Sequence, residues 1–145
     1  MTEQVQLACC ISSTDPANPV GLEIWLDHTQ IYNNEQVTET VDFVYDFDDA
    51  DAEHQLRFVM KNKTEAHTLV DSDGNIVTDS CICIENLSFD QIALGQMFID
   101  QAVYDHDFNG TADAIRDKFF GIMGCNGTVA LSFTCPIYLW LLENM

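Results

Sequence analysis

Basic residues are the scarcest class in this 145-residue chain. Five Lys and Arg stand against 24 Asp and Glu, a formal net charge of −19. Such a balance excludes the basic footprint that nucleic-acid phosphate requires. It also repels anionic membrane surfaces. Partners that suit it are cations, neutral glycans or a basic protein surface; the charge serves equally as a solubility device, or as self-repulsion that keeps free copies apart. Catalytic signatures are missing as well. The chain has no G-x-S-x-G. Its histidines, His28, His54, His67 and His106, form no H-E-x-x-H or other ligand spacing. With no nucleophile–base or metal–base set to name, no enzyme activity is expected.

Cysteine is present, but not in a working pattern. Cys9, Cys10, Cys81, Cys83, Cys125 and Cys135 include no C-x-x-C pair and no zinc-finger set. The N-terminal MTEQVQLACC has neither a basic region nor a long apolar core, so no secretory leader is expected. Reduced core thiols in a protein made in a cytoplasm follow. Four N-x-Ser/Thr triplets, beginning at Asn62, Asn86, Asn109 and Asn126, then read as chance.

The chain's length suits one domain over residues 1–145, with a core that needs no staples. Residues 119–142 dominate its organisation: FFGIMGCNGTVALSFTCPIYLWLL carries no formal charge. About 20 apolar residues span a bilayer, so length alone admits a membrane helix. Gly121, Gly124, Gly127, Asn126 and Pro136 break it, and no Lys or Arg cluster flanks it. Val129, Leu131 and Phe133 alternate with small or polar residues, the period of a half-buried strand. Ile137, Leu139 and Leu141, with Tyr138, Trp140 and Leu142 opposite, read as a second strand apolar on both faces. Such a segment is either a central strand or an edge whose outer face, Tyr138, Trp140 and Leu142, meets a partner.

The rest of the chain is mostly strand in pattern. Val5, Leu7, Cys9 and Ile11 alternate, as do Leu22, Ile24 and Leu26, then Val41, Phe43, Tyr45 and Phe47, then Leu56, Phe58 and Met60. Arg57, Lys61 and Lys63, at or just after that fourth strand, call for acidic neighbours. Asp73-Gly74 between apolar segments signals a hairpin. Residues 81–89 form a further strand, and residues 90–103 fit either a kinked strand pair or a broken helix. Residues 111–120 make the one plausible helix, capped by Thr111 and ended by Gly121. The expected fold is all-β, an antiparallel β-sandwich or jelly roll with at most one short helix. Its first strand is expected beside residues 137–141.

Candidate sites are acidic or aromatic. Asp71-Ser72-Asp73-Gly74-Asn75 has oxygens at loop positions 1, 3 and 5, but Ile76 and Ile82 stand where an EF-hand needs Gly and Glu. Calcium could instead take Asp46, Asp48, Asp49 and Asp51, or Asp105 and Asp107, against the plainer reading of solvated acidic loops. His106, between Asp105 and Asp107, is either a solvated turn or part of a site. Trp25, Tyr32 and Tyr104 could stack on sugar rings, and would equally serve as core anchors.

The words LEIWLDHTQIY and EHQLRFVMKNK, over residues 22–63, resemble the jelly-roll calcium-dependent xylan-binding modules. That resemblance implies a calcium-dependent carbohydrate-binding, or adhesion, module. VDSDGNIVTD, AVYDHDFNGT and MGCNGTVALSFTCPIYLWLLENM, across the second half, are similar to small virion-type proteins of tailed phages that infect cyanobacteria. This second resemblance implies a non-enzymatic structural protein of the virion: a head decoration or cement protein, or a tail or fibre attachment module. Such a protein is expected to form a homo-oligomer and dock on other virion proteins, with surface glycans a further partner and no required cofactor.

Overall fold

The computed structural model describes residues 3–145. Met1 and Thr2, where the N-terminal reading begins, lie outside the described residues. Thirteen strands appear in chain order among them: β1 (Gln4–Ser13), β2 (Gly21–Leu26), β3 (Thr29–Asn34), β4 (Val41–Asp48), β5 (Ala52–Lys61), β6 (Thr68–Val70), β7 (Ile76–Asp79), β8 (Ile82–Phe89), β9 (Ile92–Ala93), β10 (Val103–His106), β11 (Ile115–Lys118), β12 (Ile122–Met123) and β13 (Gly127–Cys135). Two short helices accompany them, α1 (Gln96–Gln101) and α2 (Ile137–Asn144).

The strands form an all-β antiparallel sandwich. One sheet runs β12-β8-β1-β4, with β9 also paired to β8. The other runs β11-β10-β13-β5-β2-β3. Among the described residues, β6 and β7 pair only with each other. The chain crosses repeatedly between the sheets, so neighbouring strands are mostly distant in sequence.

Alternation sets which side chains face inward. Val5, Leu7, Cys9 and Ile11 of β1 are buried, as are Leu56, Phe58 and Met60 of β5 and Val129, Leu131 and Phe133 of β13. Side chains at i and i+2 share a face, so each strand contributes one apolar row. The rows meet in a single core. Phe89 of the first sheet lies 4.9 Å from Phe133 of the second, centroid to centroid, and Phe47 lies 5.9 Å from Phe133. Each buried Phe is worth about 1.5–3 kcal/mol of transfer free energy.

The basic strand meets the acidic neighbours its charge requires. Lys61 of β5 lies 3.3 Å from Glu23 of β2 and 2.7 Å from Glu35. The Asp73-Gly74 hairpin forms as β6–β7, with Gly74 at φ +84°, a conformation glycine adopts without strain. Gly127 answers a different constraint. A Cβ there would stand 2.4 Å from the Asp105 carbonyl oxygen, so β13 can start beside β10 only with glycine.

Four expectations are corrected. Residues 137–142 form the helix α2, not a strand. IYLWLL is apolar on every side, so alternation could not discriminate between the two periods. The helix is preferred because Ile137, Trp140 and Leu141, at i, i+3 and i+4, all reach the core. The first strand therefore cannot pair there; β1 lies between β4 and β8. Residues 111–120 are not helical: a loop leads into β11, which pairs with β10. Ile115 is exposed while Phe119 is fully buried, so the supposed helical stripe does not exist. Finally, two short helices are present rather than one, because residues 90–103 combine both readings. Asp90 and Gln91 turn at positive φ, β9 is two residues long, and Gly95 at φ +55° precedes α1. Among the described residues, no helix is long and apolar enough to cross a membrane.

Candidate functional site

The polar cleft with the most chemistry lies at one end of the second sheet. It holds about 440 Å³ and is lined by Asp27, Glu53, His54, Gln55, Ser132, Phe133, Thr134 and Trp140. Asp27 follows β2 at φ +55°, and its amide donates to the Gln55 carbonyl. This brings its carboxylate against β5. One oxygen lies 2.7 Å from His54 Nδ1, and the other accepts the Gln55 amide at 2.9 Å. Arg57 donates to the Asp27 carbonyl at 3.0 Å. Burial disfavours ionisation of Asp27, yet the bonds from His54 and Gln55 outweigh it and hold the carboxyl below its ordinary range.

The Asp–His pair has no serine behind it. His54 and Phe133 are register partners, so they share the inward face. The His54 ring packs on Phe133 at 5.3 Å and on Phe47 at 5.7 Å. Ser132 and Thr134 flank Phe133 and are exposed, on the opposite face. Both Asp27 carboxylate oxygens and its carbonyl are committed to β5. The pair fixes the corner where β2 meets β5. His54 Nε2 is buried without a hydrogen-bond partner among the described residues.

The thiols are equally unsuited to attack. Burial, followed by Cys10, pushes Cys9 up to about 12. Burial, followed by Asp49, does the same to Cys135. Cys81 and Cys125 lie near Lys63, but burial dominates and raises both. A raised thiol is protonated at neutral pH and weakly nucleophilic. All six cysteines are free.

The sugar-stacking candidates do not share a surface. Trp25 lies on the outer face of the second sheet, with the Arg57 guanidinium 5.6 Å from its ring. Tyr32 points the other way, edge-on to Phe43 of the first sheet at 5.5 Å. Tyr104 is 6% exposed, and its hydroxyl bridges the backbone of Cys125.

The acidic candidates are also dispersed. Asp46 and Asp48 lie on the outer side of β4, where Gln4 donates to Asp48. Asp49 caps α2 by accepting the Ile137 amide at 2.9 Å, while Asp51 lies beside the start of β5. Asp105 pairs with Arg116 at 3.2 Å, and Asp107 accepts the Gly110 amide at 2.9 Å. Among the described residues, no group of three or more His, Cys, Asp and Glu is arranged to hold a metal ion. His106 ends β10 almost fully buried, between the rings of Tyr104 and Phe108, and 3.6 Å from Asp117. It is not a solvated turn.

The expected interface residues divide. Tyr138 and Leu142 are 47% and 71% exposed, whereas Trp140 is 6% exposed, packed between Phe89 and Phe133. Leu139, 56% exposed, joins the outer face instead. The split follows from the helix: 137, 140 and 141 form one stripe, and 138, 139 and 142 form the other. A second apolar surface was not anticipated at all. Leu69, Val70, Ile76 and Val77 of the β6–β7 ribbon are all exposed. Compared with known proteins, the chain matches no family model, no curated protein and no solved structure.

Proposed function

We propose that the protein is a non-catalytic structural component of a tailed-phage virion, made in the host cytoplasm, that works by self-association and by docking on other particle proteins. A head decoration or cement protein, or a tail or fibre attachment module, fits this description. The phage assignment rests on the sequence resemblance. The docking role is carried by one observation: the outer face of α2 presents Tyr138, Leu139 and Leu142 to solvent. A helix this short could bury its apolar stripe and leave the rest polar. This one is apolar on both sides, and Glu143 is its only charged residue.

The surrounding charge sharpens the point. A chain of net charge −19 repels its own copies, and approach is least costly at an uncharged patch. The outer face of α2 carries two exposed leucines within an acidic rim: the Tyr138 hydroxyl donates to Asp90 at 2.8 Å, and Leu139 lines a cleft with Asp51, Glu53 and Glu143, so salt should strengthen self-association there. Fully burying one Leu side chain contributes about 1.5–3 kcal/mol.

The test is the solution mass of the purified chain by light scattering, over a range of protein concentration and salt. The wild type is expected to form a defined multimer. Leu139→Asp combined with Leu142→Asp is expected to be monomeric and still to unfold cooperatively, at a midpoint lowered only by the lost association, because exposed positions themselves shift stability by only about 0.5 kcal/mol. A wild type that stays monomeric throughout overturns the self-association reading.

A further inference from the structure

The ribbon of β6 and β7 joins neither sheet of the sandwich. An isolated two-stranded ribbon is marginal in water. This one is nevertheless anchored firmly at its base. Lys63 Nζ reaches Asp79 at 2.5 Å, Thr68 donates to the same carboxylate at 2.7 Å, and Ser80 donates to the Asn18 carbonyl at 2.6 Å. Its strands are held extended, and their outer edges have no strand partner among the described residues.

What the strands expose is unusual for an unpaired edge. Leu69 and Val70 are adjacent, as are Ile76 and Val77, so apolar side chains stand on both faces. Ile76 is 64% exposed. Free edges are ordinarily guarded by charge, proline or a bulge that turns them away. Here Thr68-Leu69-Val70 and Ile76-Val77-Thr78 contain no charge and no proline. The bulge between Leu69 and Val70 lies within the ribbon's own pairing.

Charge selects the occupant. Asp71 and Asp73 sit at the ribbon's tip, and Glu65 at its base. Lys63, the one Lys or Arg there among the described residues, is buried in its ion pair. A second copy joined edge to edge would set Glu65, Asp71 and Asp73 against the same three acids. A cleft of about 560 Å³ beside the ribbon is lined by Val70 and Phe108 together with Glu65, and by Lys63, whose ammonium is already neutralised by Asp79. That combination suits a long basic side chain, with its stem on the apolar wall and its head at the carboxylate.

We infer that the β6–β7 ribbon is a docking edge for an extended segment of another protein, in which apolar residues alternate with Lys or Arg. The segment adds a strand through main-chain hydrogen bonds, while its side chains meet Ile76, Val77 and the acidic surround. This inference rests on the docking role proposed above and assigns it a second surface and a partner chemistry.

The test uses the full chain, isotope-labelled, and a synthetic peptide of about nine residues alternating Val and Lys, with a Val/Glu peptide as control. Amide shifts should saturate and be confined to residues 65–79 and the turn at residues 108–111. Binding should weaken about tenfold or more with added salt, and by a similar factor in an Ile76→Asp, Val77→Asp chain. Equal binding of the Val/Glu peptide, shifts elsewhere, or no saturable binding overturns the inference. So does a wild-type multimer that Ile76→Asp, Val77→Asp dissociates, because the ribbon is then covered by a second copy. Self-association through α2 is read separately, from the mass of the Leu139→Asp, Leu142→Asp chain, so either result can fail alone.

Discussion

Trp140→Ala is expected to cost about 3–5 kcal/mol, the range for removing a buried aromatic from a core. Leu142→Ala, two residues away, is expected to fall within about 0.5 kcal/mol in solutions dilute enough to be monomeric. The contrast follows from the helix. In a strand, Tyr138, Trp140 and Leu142 would share a face and respond alike. In α2 the same three residues split, and Trp140 enters the core beside Ile137 and Leu141. Its ring lies 6.3 Å from Phe89, nearly perpendicular, and 6.0 Å from Phe133, so it joins both sheets at the chain's end. With Trp140 gone, α2 keeps only two large anchors. Urea unfolding of the two variants beside the wild type measures the ratio. Equal costs for Trp140→Ala and Leu142→Ala would remove the helix from the account.

Lys63→Met is expected to cost about 3 kcal/mol, near the lower end for breaking a buried ion pair. The Lys63 side chain is 2% exposed, and its ammonium lies 2.5 Å from Asp79 and 2.6 Å from the Gly124 carbonyl. Methionine fills the stem's volume, so the loss is electrostatic. Asp79 is 31% exposed on its side chain, and water there moderates the penalty. Lys63→Met combined with Asp79→Val should regain much of the loss, since no carboxylate is then left unpaired beside apolar groups. Because the pair ties the ribbon's base to the end of β5 and to the Gly124–Asn126 segment, Lys63→Met should also speed amide exchange across β6 and β7. Unfolding by denaturant, with exchange read per residue, checks both effects.

Strand rows were legible because each faces one core. β1, β2, β5 and β13 alternate cleanly, and their buried residues are the ones the period selects. The hairpin at Asp73-Gly74 was legible from its turn chemistry. α2 was not, because an apolar run satisfies a period of two and a period of 3.6 equally. The deciding fact is tertiary: Trp140 has a place between Phe89 and Phe133 only in the helix.

The sites were less legible than the strands, for a different reason. Asp27 and His54 are far apart in sequence, and only the register of β2 on β5 makes them neighbours. Lys63, Asp79 and Gly124 meet through three separate connections. Acidic side chains are so numerous that sequence spacing could not separate the Asp49 helix cap from the ion-paired Asp105. Exposure of the ribbon was hidden as well, since a hairpin within a sheet and a free one carry the same turn signal.

The most direct test of the docking role is hydrogen–deuterium exchange of the wild-type chain, compared between dilute and concentrated solution. The account predicts that protection rises with concentration in residues 137–145, and that the segments lining the Asp27–His54 cleft stay unchanged. Protection gained at the cleft with residues 137–145 unchanged, or gained nowhere, would contradict it.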